Sequence, residues 1–417
     1  MALPAKSSMT GALLKATSID EQRGHWLSAY RRVRAETEQR ASFLSPEDQI
    51  VQSMADASPT KWHRAHVTWF FETFLVREFD ASYKIFDERF PFLFNSYYVA
   101  VGPRYARPQR GLITRPNSEE VTRYRAHVDA AVEKLIAHVP EKDAPRVFDI
   151  LEIGLNHEQQ HQELLITDIL HAFAQNPTNP AYNSDWRMPG VASGPRAMND
   201  FTDVASGIQP IGHDGTGFCF DNELPRHDTL IPKMRIGRHL VTNAQWLEFI
   251  EEGGYRTPSL WLSDGWATVQ AEGWEAPGYW RQDGGTWQVM TLAGLKPVDP
   301  AAPVLHVSYY EADAFARFAG KHLPSEQEWE VSARSGALAD AFGIAWQWTR
   351  SAYLSYPGYR AIDGALGEYN GKFMSGQMVL RGASLATPEG HERLSYRNFF
   401  PPAARWQFSG LRLAEFP

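Results

Sequence analysis

The 417-residue chain has almost no cysteine, no long apolar run and no excess of positive charge. Its single cysteine, Cys219, cannot form an internal disulfide or a thiolate cluster, which suits a reducing compartment. No run of 18 apolar residues occurs, and the first residues lack the apolar core of a secretory signal. We therefore expect a cytoplasmic protein without a membrane span. The net charge of −8 argues against a nucleic-acid surface, which needs clustered positive potential.

The composition is typical of a globular protein, and the length of the chain indicates two domains. The chain is longer than one hydrophobic core usually supports, and 43% of it is hydrophobic. Helical periodicity dominates up to about residue 175, and a stretch rich in Pro, Asn and Gly follows. Beyond that stretch, short strand-like segments and many glycines and tryptophans predict an α+β domain. We predict domains at 1–180 and 195–417.

Apolar residues at helical spacing predict four helices in the first domain, at about 19–41, 59–78, 117–138 and 143–174. Short connections between them indicate an up-and-down four-helix bundle. Ser58, followed by Pro59, is a good N-cap for the second helix. The segment 79–116 is too aromatic for a disordered linker and too broken for a helix, so it predicts an ordered crossover lying over the bundle.

Helical patterns are scarcer in the second domain. The segment 309–319 has the spacing of an amphipathic helix, and 325–334 opens with Ser325 and Glu328 in the pattern of a capping box. The rest of this domain is predicted to be short strands joined by irregular loops.

The string Asn156–Glu163 (NHEQQHQE) carries the most specific chemical signal. His157 and His161 are four residues apart, so their imidazoles lie on one helix face and can converge on a metal ion. Because Glu158 directly follows the first histidine, the string also fits the HExxH pattern of zinc hydrolases. A surface pair of histidines without any metal is the third interpretation.

A third ligand is available on the helix at 59–78, where His63 and His66 stand beside several aromatic residues. Periodicity does not choose between them. Three neutral imidazoles would leave half of an octahedral shell open, which suits Fe(II), or would hold Zn(II) in a tetrahedron with one water. The ligand types leave both metals open.

Several long motifs, in order along the chain, resemble those of EgtB-type sulfoxide synthases of ergothioneine biosynthesis. SPEDQIVQSMADASPTKWHRAHVTWFFETFL and NHEQQHQELLITDIL are similar to the DinB-like helical domain of that family and to its metal helix. FDNELPRHDTLIPKMRIGRHLVTNAQWLEFIEEGGY, PVLHVSYYEADAFARFAGKHLPSEQEWE and VLRGASLAT resemble the formylglycine-generating-enzyme or sulfatase-modifying-factor fold. The resemblance implies a DinB-like four-helix bundle followed by a C-type-lectin-like formylglycine-generating-enzyme domain.

The family resemblance assigns roles to residues of the first domain. It implies that His66, His157 and His161 bind Fe(II), and that Gln160 hydrogen-bonds the imidazole of the substrate. It also matches Tyr97 and Tyr98 to a tyrosine pair that supplies a proton during oxygen chemistry. Of these two tyrosines we favour Tyr97.

The resemblance also implies a carboxylate-bearing thiol substrate and a quaternary ammonium group. The basic run after the tyrosines offers guanidinium groups that grip carboxylates, and we expect Arg104 and Arg107 to do so, ahead of Arg110 and Arg115 in the same run. Asn398, Phe399 and Phe400 match the family segment that binds trimethylhistidine. Some members carry aspartate in place of Phe400, so here we expect aromatic rings to enclose the ammonium.

The implied activity is an O₂-dependent coupling of the sulfur of cysteine or γ-glutamylcysteine to the imidazole of hercynine, giving a sulfoxide. All expected partners are small molecules, with no nucleic acid and no membrane. Related enzymes that couple sulfur or selenium in ovothiol or selenoneine synthesis are one alternative, and a non-catalytic ligand-binding protein with a lectin-like domain is another. Formylglycine generation itself needs a pair of cysteines in the second domain and is excluded by the single Cys219.

Overall fold

A computed structural model describes residues 18–189, 198–361 and 370–417. The chain forms two compact units. The first contains the residues up to Leu165 together with His213–Phe220, and the second contains Ile166–Gly212 and Asp221–Pro417. Within the described ranges, no helix is both long and apolar enough to cross a membrane. The domain bounds expected from the sequence, 1–180 and 195–417, stay a prediction.

The first unit is helical. Its helices are α1 (Ile19–Ala41), α2 (Thr60–Phe71), α3 (Arg77–Phe79), α4 (Phe90–Phe94), α5 (Ser118–His138) and α6 (Ala144–Ala174), the last of which continues into the second unit. A π-helical turn at Glu72–Val76 joins α2 to α3. Helices α1, α5 and α6 agree with the predicted ones to within one residue, and the helix predicted at 59–78 corresponds to α2, the π-helical turn and α3 taken together. Every residue of α2 is buried, which identifies it as the central helix of the unit.

The start of α2 differs from the prediction by one residue. Pro59, not Ser58, occupies the N-cap position, and no side chain caps this helix end. The hydroxyl of Ser58 instead accepts a hydrogen bond of 2.9 Å from the guanidinium of Arg110. The segment predicted as an ordered crossover contains α4 and two short 3₁₀ turns, at Val99–Val101 and Arg107–Leu112.

Buried charges tie the long helices together. Glu158 on α6 is fully inaccessible and accepts hydrogen bonds from Arg34 of α1 at 2.9 Å and from Arg125 of α5 at 3.1 Å. The hydroxyl of Thr37 donates a third bond to the same carboxylate at 2.6 Å. Arg34 also pairs with Asp129 of α5 at 2.7 Å. Because Glu158, Arg34 and Arg125 are buried and paired with one another, loss of one of them would leave an uncompensated buried charge.

The second unit is α+β, as predicted. Its helices are α7 (Asn243–Glu251), α8 (Ser263–Glu272), α9 (Tyr309–Phe318) and α10 (Glu326–Arg334). Its strands are β1 (Phe201–Asp203), β2 (Gly207–Ile211), β3 (His227–Ile231), β4 (Arg235–Gly237), β5 (Trp280–Asp283), β6 (Thr286–Thr291), β7 (Gly294–Pro297), β8 (Ala345–Ala352), β9 (Met378–Ala383), β10 (Asn398–Phe400), β11 (Ser409–Gly410) and β12 (Ala414–Glu415).

These strands form four small sheets, ordered β1-β4-β12, β2-β3, β5-β6-β7 and β10-β9-β8-β11. Neighbouring strands are antiparallel except β11 and β8, which run parallel. Helix α10 begins with the predicted capping box of Ser325 and Glu328, and α9 has a capping box of its own at Ser308. Trp329 of α10 is fully buried in a core with residues such as Ile211, Ile236 and Ala414.

Candidate metal centre

Three histidines from two helices of the first unit form a compact group. His66 lies on α2, and His157 and His161 lie one turn apart on α6. One ring nitrogen from each histidine lies within 4.8 Å of the other two, and all three side chains are buried. The Nε2 atoms of His66 and His157 are 3.3 Å apart. The structure therefore brings together the three residues that the resemblance implied as ligands.

The position of the His66 ring is determined by its surroundings. Its Nδ1 is 2.6 Å from the carbonyl oxygen of Phe94 at the end of α4. Since a carbonyl only accepts, Nδ1 carries the proton and the lone pair lies on Nε2. The ring stacks nearly parallel to Trp62 and Trp69, with centroids 4.6 and 5.5 Å away. These contacts direct the lone pair of Nε2 toward His157.

His63, which the helical spacing left equal to His66, has a different place. It lies outside the group of three, and its Nδ1 is 2.8 Å from Nδ1 of His161. Its side chain is 3% exposed. The two histidines of α2 therefore have different surroundings, which no rule based on helical spacing could separate.

Burial keeps all three imidazoles uncharged at neutral pH. It lowers the pKa of His157 to about 3. Burial also lowers the pKa values of His66 and His161 well below the usual range, and repulsion between neighbouring histidines lowers them further. A neutral imidazole keeps a lone pair on one ring nitrogen, which is the form that binds metals.

The donor set fits a divalent transition metal. Two nitrogens bound at about 2.1 Å to one ion lie about 3.0 to 3.4 Å apart, depending on whether the site is octahedral or tetrahedral. The 3.3 Å between Nε2 of His66 and Nε2 of His157 falls in this range. Without an ion, a hydrogen on Nε2 of His157 would let this pair form an N–H···N hydrogen bond, whereas with an ion both nitrogens offer it their lone pairs. Three neutral nitrogen donors suit both Fe(II) and Zn(II).

Close packing sets the distance between α2 and α6 beside the histidines. A Cβ added at Gly154 would lie 2.5 Å from Cε1 of Phe71 and 2.9 Å from Cε1 of Phe70. The ring of Phe70 is in turn 4.9 Å from that of His157, between centroids. Glycine at position 154 therefore allows the two ligand helices to approach, and the space beside it is filled by aromatic rings.

Glu158 is unsuited to the role that the HExxH pattern would give it. Both carboxylate oxygens accept hydrogen bonds within the buried network of Arg34, Thr37 and Arg125. A general base needs a lone pair directed at a metal-bound water, whereas this carboxylate is fully inaccessible and already accepts three hydrogen bonds. The structure assigns Glu158 to the bundle interior, so the zinc-hydrolase interpretation loses its base.

The two candidate tyrosines have different environments. Tyr97 is half-buried, and its hydroxyl accepts a hydrogen bond of 2.8 Å from Arg107. Tyr98 is buried against Trp69 and Phe74, and its ring centroid is 6.5 Å from that of His157. Tyr98 thus contacts a histidine of the group directly, whereas Tyr97 is held by the arginines of the crossover.

The arginines of the crossover divide into surface and buried groups. Arg104 is exposed and donates to the carbonyl of Ser96, and Arg107 is about one-third exposed and pairs with Asp56 at 3.7 Å. Arg110, which the sequence ranked lower, is buried. Its guanidinium lies 3.4 Å above the ring of Trp62 and donates to the hydroxyl of Ser96 at 2.9 Å. Its charge contributes to lowering the pKa values of His66 and His161.

The remaining predicted site residues are found in both units. Gln160 is half-buried on α6, next to His161. In the second unit, Phe399 stacks on Tyr353 with a centroid distance of 4.0 Å, and Phe373 lies 5.8 Å away. Phe400 meets Trp406 edge to face at 5.6 Å, and Asn398 accepts a hydrogen bond from the backbone of Phe399. Asn398, Phe399 and Phe400 together form β10.

Sequence reasoning missed two features of the first unit. It did not anticipate the hydrogen bond between His63 and His161, or the stack of Arg110, Trp62 and His66. The closely spaced histidines and the neighbouring tryptophan were a signal that this helix is unusual. His161 lies 98 positions after His63 and Arg110 lies 48 positions after Trp62, so the pattern alone could not identify these partners.

Two domain families match the chain. Residues 29–165 match the DinB superfamily, and residues 187–342 match the sulfatase-modifying factor enzyme 1-like domain. These matches confirm the predicted fold class of a DinB-like helical part followed by a part of the formylglycine-generating-enzyme type.

Curated relatives match over most of the chain. The hercynine oxygenase of Mycolicibacterium thermoresistibile is 29% identical over 406 residues, which cover 86% of this chain and 87% of the relative. The hercynine oxygenase of Mycolicibacterium smegmatis is 32% identical over 342 residues, covering 70% of this chain and 76% of the relative. The formylglycine-generating enzyme of Thermomonospora curvata is 34% identical over 136 residues, but these cover only 30% of this chain and 45% of that enzyme.

Proposed function

Because this chain belongs to the hercynine oxygenase family, we propose that it is an Fe(II)- and O₂-dependent sulfoxide synthase acting on hercynine. It would join the sulfur of cysteine or γ-glutamylcysteine to the imidazole ring of hercynine and leave the product as a sulfoxide. A cytoplasmic location, suggested by the single cysteine, belongs to the same proposal.

The observation that carries the proposal is the convergence of three buried, neutral imidazoles from α2 and α6. An iron ion held by His66, His157 and His161 would supply activation of O₂ together with open positions for both substrates. The chain's own contribution is to hold these nitrogens at a fixed spacing. Stacking of Trp62 and Trp69 on His66 restricts the rotation of the His66 ring, and the hydrogen bond from its Nδ1 to the carbonyl of Phe94 defines its tautomer.

Residues around the histidines would orient the substrates. Gln160 adjoins the last ligand on α6, and its amide would hydrogen-bond the imidazole of hercynine. Arg104 and Arg107 would bind the carboxylate of the thiol substrate, which suits an exposed Arg104 and a partly exposed Arg107. Holding both reactants in one geometry removes much of the entropic barrier to coupling.

The tyrosine pair would control proton supply. A phenol close to the reacting oxygen can donate a proton and so favour coupling over oxidation of the thiol alone. Tyr97, whose hydroxyl already accepts a bond from Arg107, remains our favoured donor, and Tyr98 is the alternative because its ring contacts His157.

For the trimethylammonium of hercynine we propose an aromatic environment. Phe399 and Phe400 are each half-buried and have other aromatic rings within 6 Å, and a quaternary ammonium is attracted to ring faces at about that range. Asn398 would add a polar contact. On this basis Phe400 substitutes an aromatic surface for the aspartate that stands there in some members of the family.

The direct test is anaerobic loading with Fe(II), followed by addition of O₂, hercynine and a thiol. We expect O₂ uptake that depends on both substrates and a product whose mass is that of the coupled sulfoxide. Parallel reactions with cysteine and with γ-glutamylcysteine identify the thiol, and reactions with histidine or a selenosugar test the ovothiol and selenoneine alternatives. The proposal fails if fully iron-loaded protein consumes no O₂ with any thiol.

Matched variants separate a catalytic defect from general damage. His66→Ala should lose both iron and activity, whereas His138→Ala, at an exposed position of α5, should retain both. A metal-free protein that still binds hercynine as well as the wild type does would favour the non-catalytic, lectin-like alternative. Replacement of iron by zinc should abolish O₂ uptake.

A further inference from the structure

We propose that His63 is a positioning residue for the metal site: it accepts a hydrogen bond from Nδ1 of His161 and thereby fixes the ring that binds the metal through Nε2. This inference rests on the proposed metal site. It concerns a residue that the family resemblance does not assign, and it follows from one contact, the 2.8 Å between Nδ1 of His63 and Nδ1 of His161.

The tautomers follow from the geometry. Two ring nitrogens at 2.8 Å form a hydrogen bond only if one carries a hydrogen and the other a lone pair. If His161 offers the lone pair of Nε2 to a metal, its hydrogen must lie on Nδ1, so Nδ1 is the donor. His63 must then accept with its own Nδ1 and carry its hydrogen on Nε2.

A second ligand is held in the same way. Nδ1 of His66 donates to the carbonyl of Phe94, which leaves Nε2 for the metal. Metal-binding histidines generally donate their other ring hydrogen to an acceptor that fixes orientation and raises basicity. His63 would accept the hydrogen of His161 just as the carbonyl of Phe94 accepts the hydrogen of His66. Because the acceptor on His63 belongs to a side chain, it can be removed by substitution.

The location of His63 strengthens the argument. It precedes His66 by three residues on α2, so this helix supplies one ligand and the acceptor for another ligand on α6. Both imidazoles of the pair are buried, where a hydrogen bond is less weakened by competing water. Without an acceptor at this place, the ring of His161 could rotate about its side-chain bonds and lose alignment with His66 and His157.

The experiment compares three single variants of the full chain by titration of the metal-free protein with Co(II) and with Fe(II). His63→Leu removes the acceptor, whereas His63→Asn keeps an acceptor, because its amide oxygen is attached to Cγ as Nδ1 is. Lys61→Met is the control for damage to α2, since Lys61 is also buried on this helix and donates to the carbonyl of Ile113.

We expect His63→Leu to weaken binding of both metals by about tenfold or more, and His63→Asn and Lys61→Met to stay within about threefold of the wild type. The visible absorption of bound Co(II) should be altered in His63→Leu and restored in His63→Asn, which a merely structural role would not produce. Wild-type affinity in His63→Leu overturns the inference. Complete loss of metal from both His63 variants also overturns it, because His63 would then be a ligand itself.

The two proposals fail separately. If the wild-type protein binds neither Co(II) nor Fe(II), the metal site and the function proposed for it are wrong. If the wild type binds metal and turns over hercynine while His63→Leu is unchanged in both respects, only the positioning role of His63 is wrong.

Discussion

Replacement of Glu158 by glutamine tests whether this residue belongs to the bundle interior or to the chemistry. The side chain keeps its shape in Glu158→Gln but loses its charge between Arg34 and Arg125, which are 5% and 2% exposed. Breaking a buried ion pair from one side costs about 3–5 kcal/mol. Each arginine retains a second carboxylate, Asp129 at 2.7 Å and Glu38 at 2.6 Å, so we expect a loss near the lower end, about 3 kcal/mol.

The assay is urea unfolding of the metal-free protein, followed by circular dichroism at 222 nm, where the helices dominate. Glu158→Gln should lower the midpoint of the transition strongly. The control is Glu119→Gln, which removes a surface pair with Arg123 of similar length, 2.9 Å, and should shift the midpoint little because both groups are solvated.

A wild-type midpoint for Glu158→Gln would refute this reasoning. If Glu158 were instead the general base of a zinc hydrolase, the variant would keep its stability and its metal and would lose only hydrolytic activity. A structural role for Glu158 thus predicts a lower urea midpoint, whereas a catalytic role predicts an unchanged midpoint and a loss of hydrolytic activity.

Two further predictions concern the same region. Gly154→Ala should lower the melting temperature, because the added Cβ would meet the ring of Phe71 at 2.5 Å and overpacking costs about 1–3 kcal/mol. The control is Gly24→Ala, at an exposed helical position with nothing within 4 Å, which should be neutral or stabilising. Equal melting temperatures for the two variants would contradict the packing argument. The pKa of His157 is lowered to about 3 from an unfolded value near 6.5, so between these pH values only the unfolded chain binds this proton. As the pH is lowered from 6.5, the free energy of unfolding of the metal-free protein should decrease by about 1.4 kcal/mol per pH unit for this group, and it should decrease less steeply in His157→Asn. Urea titrations at pH 7, 6 and 5 measure this dependence. The contrary result is a free energy of unfolding that changes equally with pH in the two proteins.

Local rules predicted much of this protein from its sequence. Apolar periodicity located the four long helices, and a serine followed by a glutamate at the third position marked the start of α10. The four-residue spacing of His157 and His161 placed two imidazoles on one face of a helix. These predictions succeed because helix geometry relates residues only a few positions apart, and the chain itself fixes that relation.

Tertiary structure decided what each side chain meets. His63 and His66 are equivalent by helical spacing, yet only His66 belongs to the group of three, and His63 is hydrogen-bonded to His161 from outside it. Glu158 fits a catalytic pattern, yet arginines from α1 and α5 enclose it. Arg110 is buried although nearby arginines are exposed. In each case the partner lies far away in sequence, and its position depends on how whole helices pack, which short-range patterns do not encode.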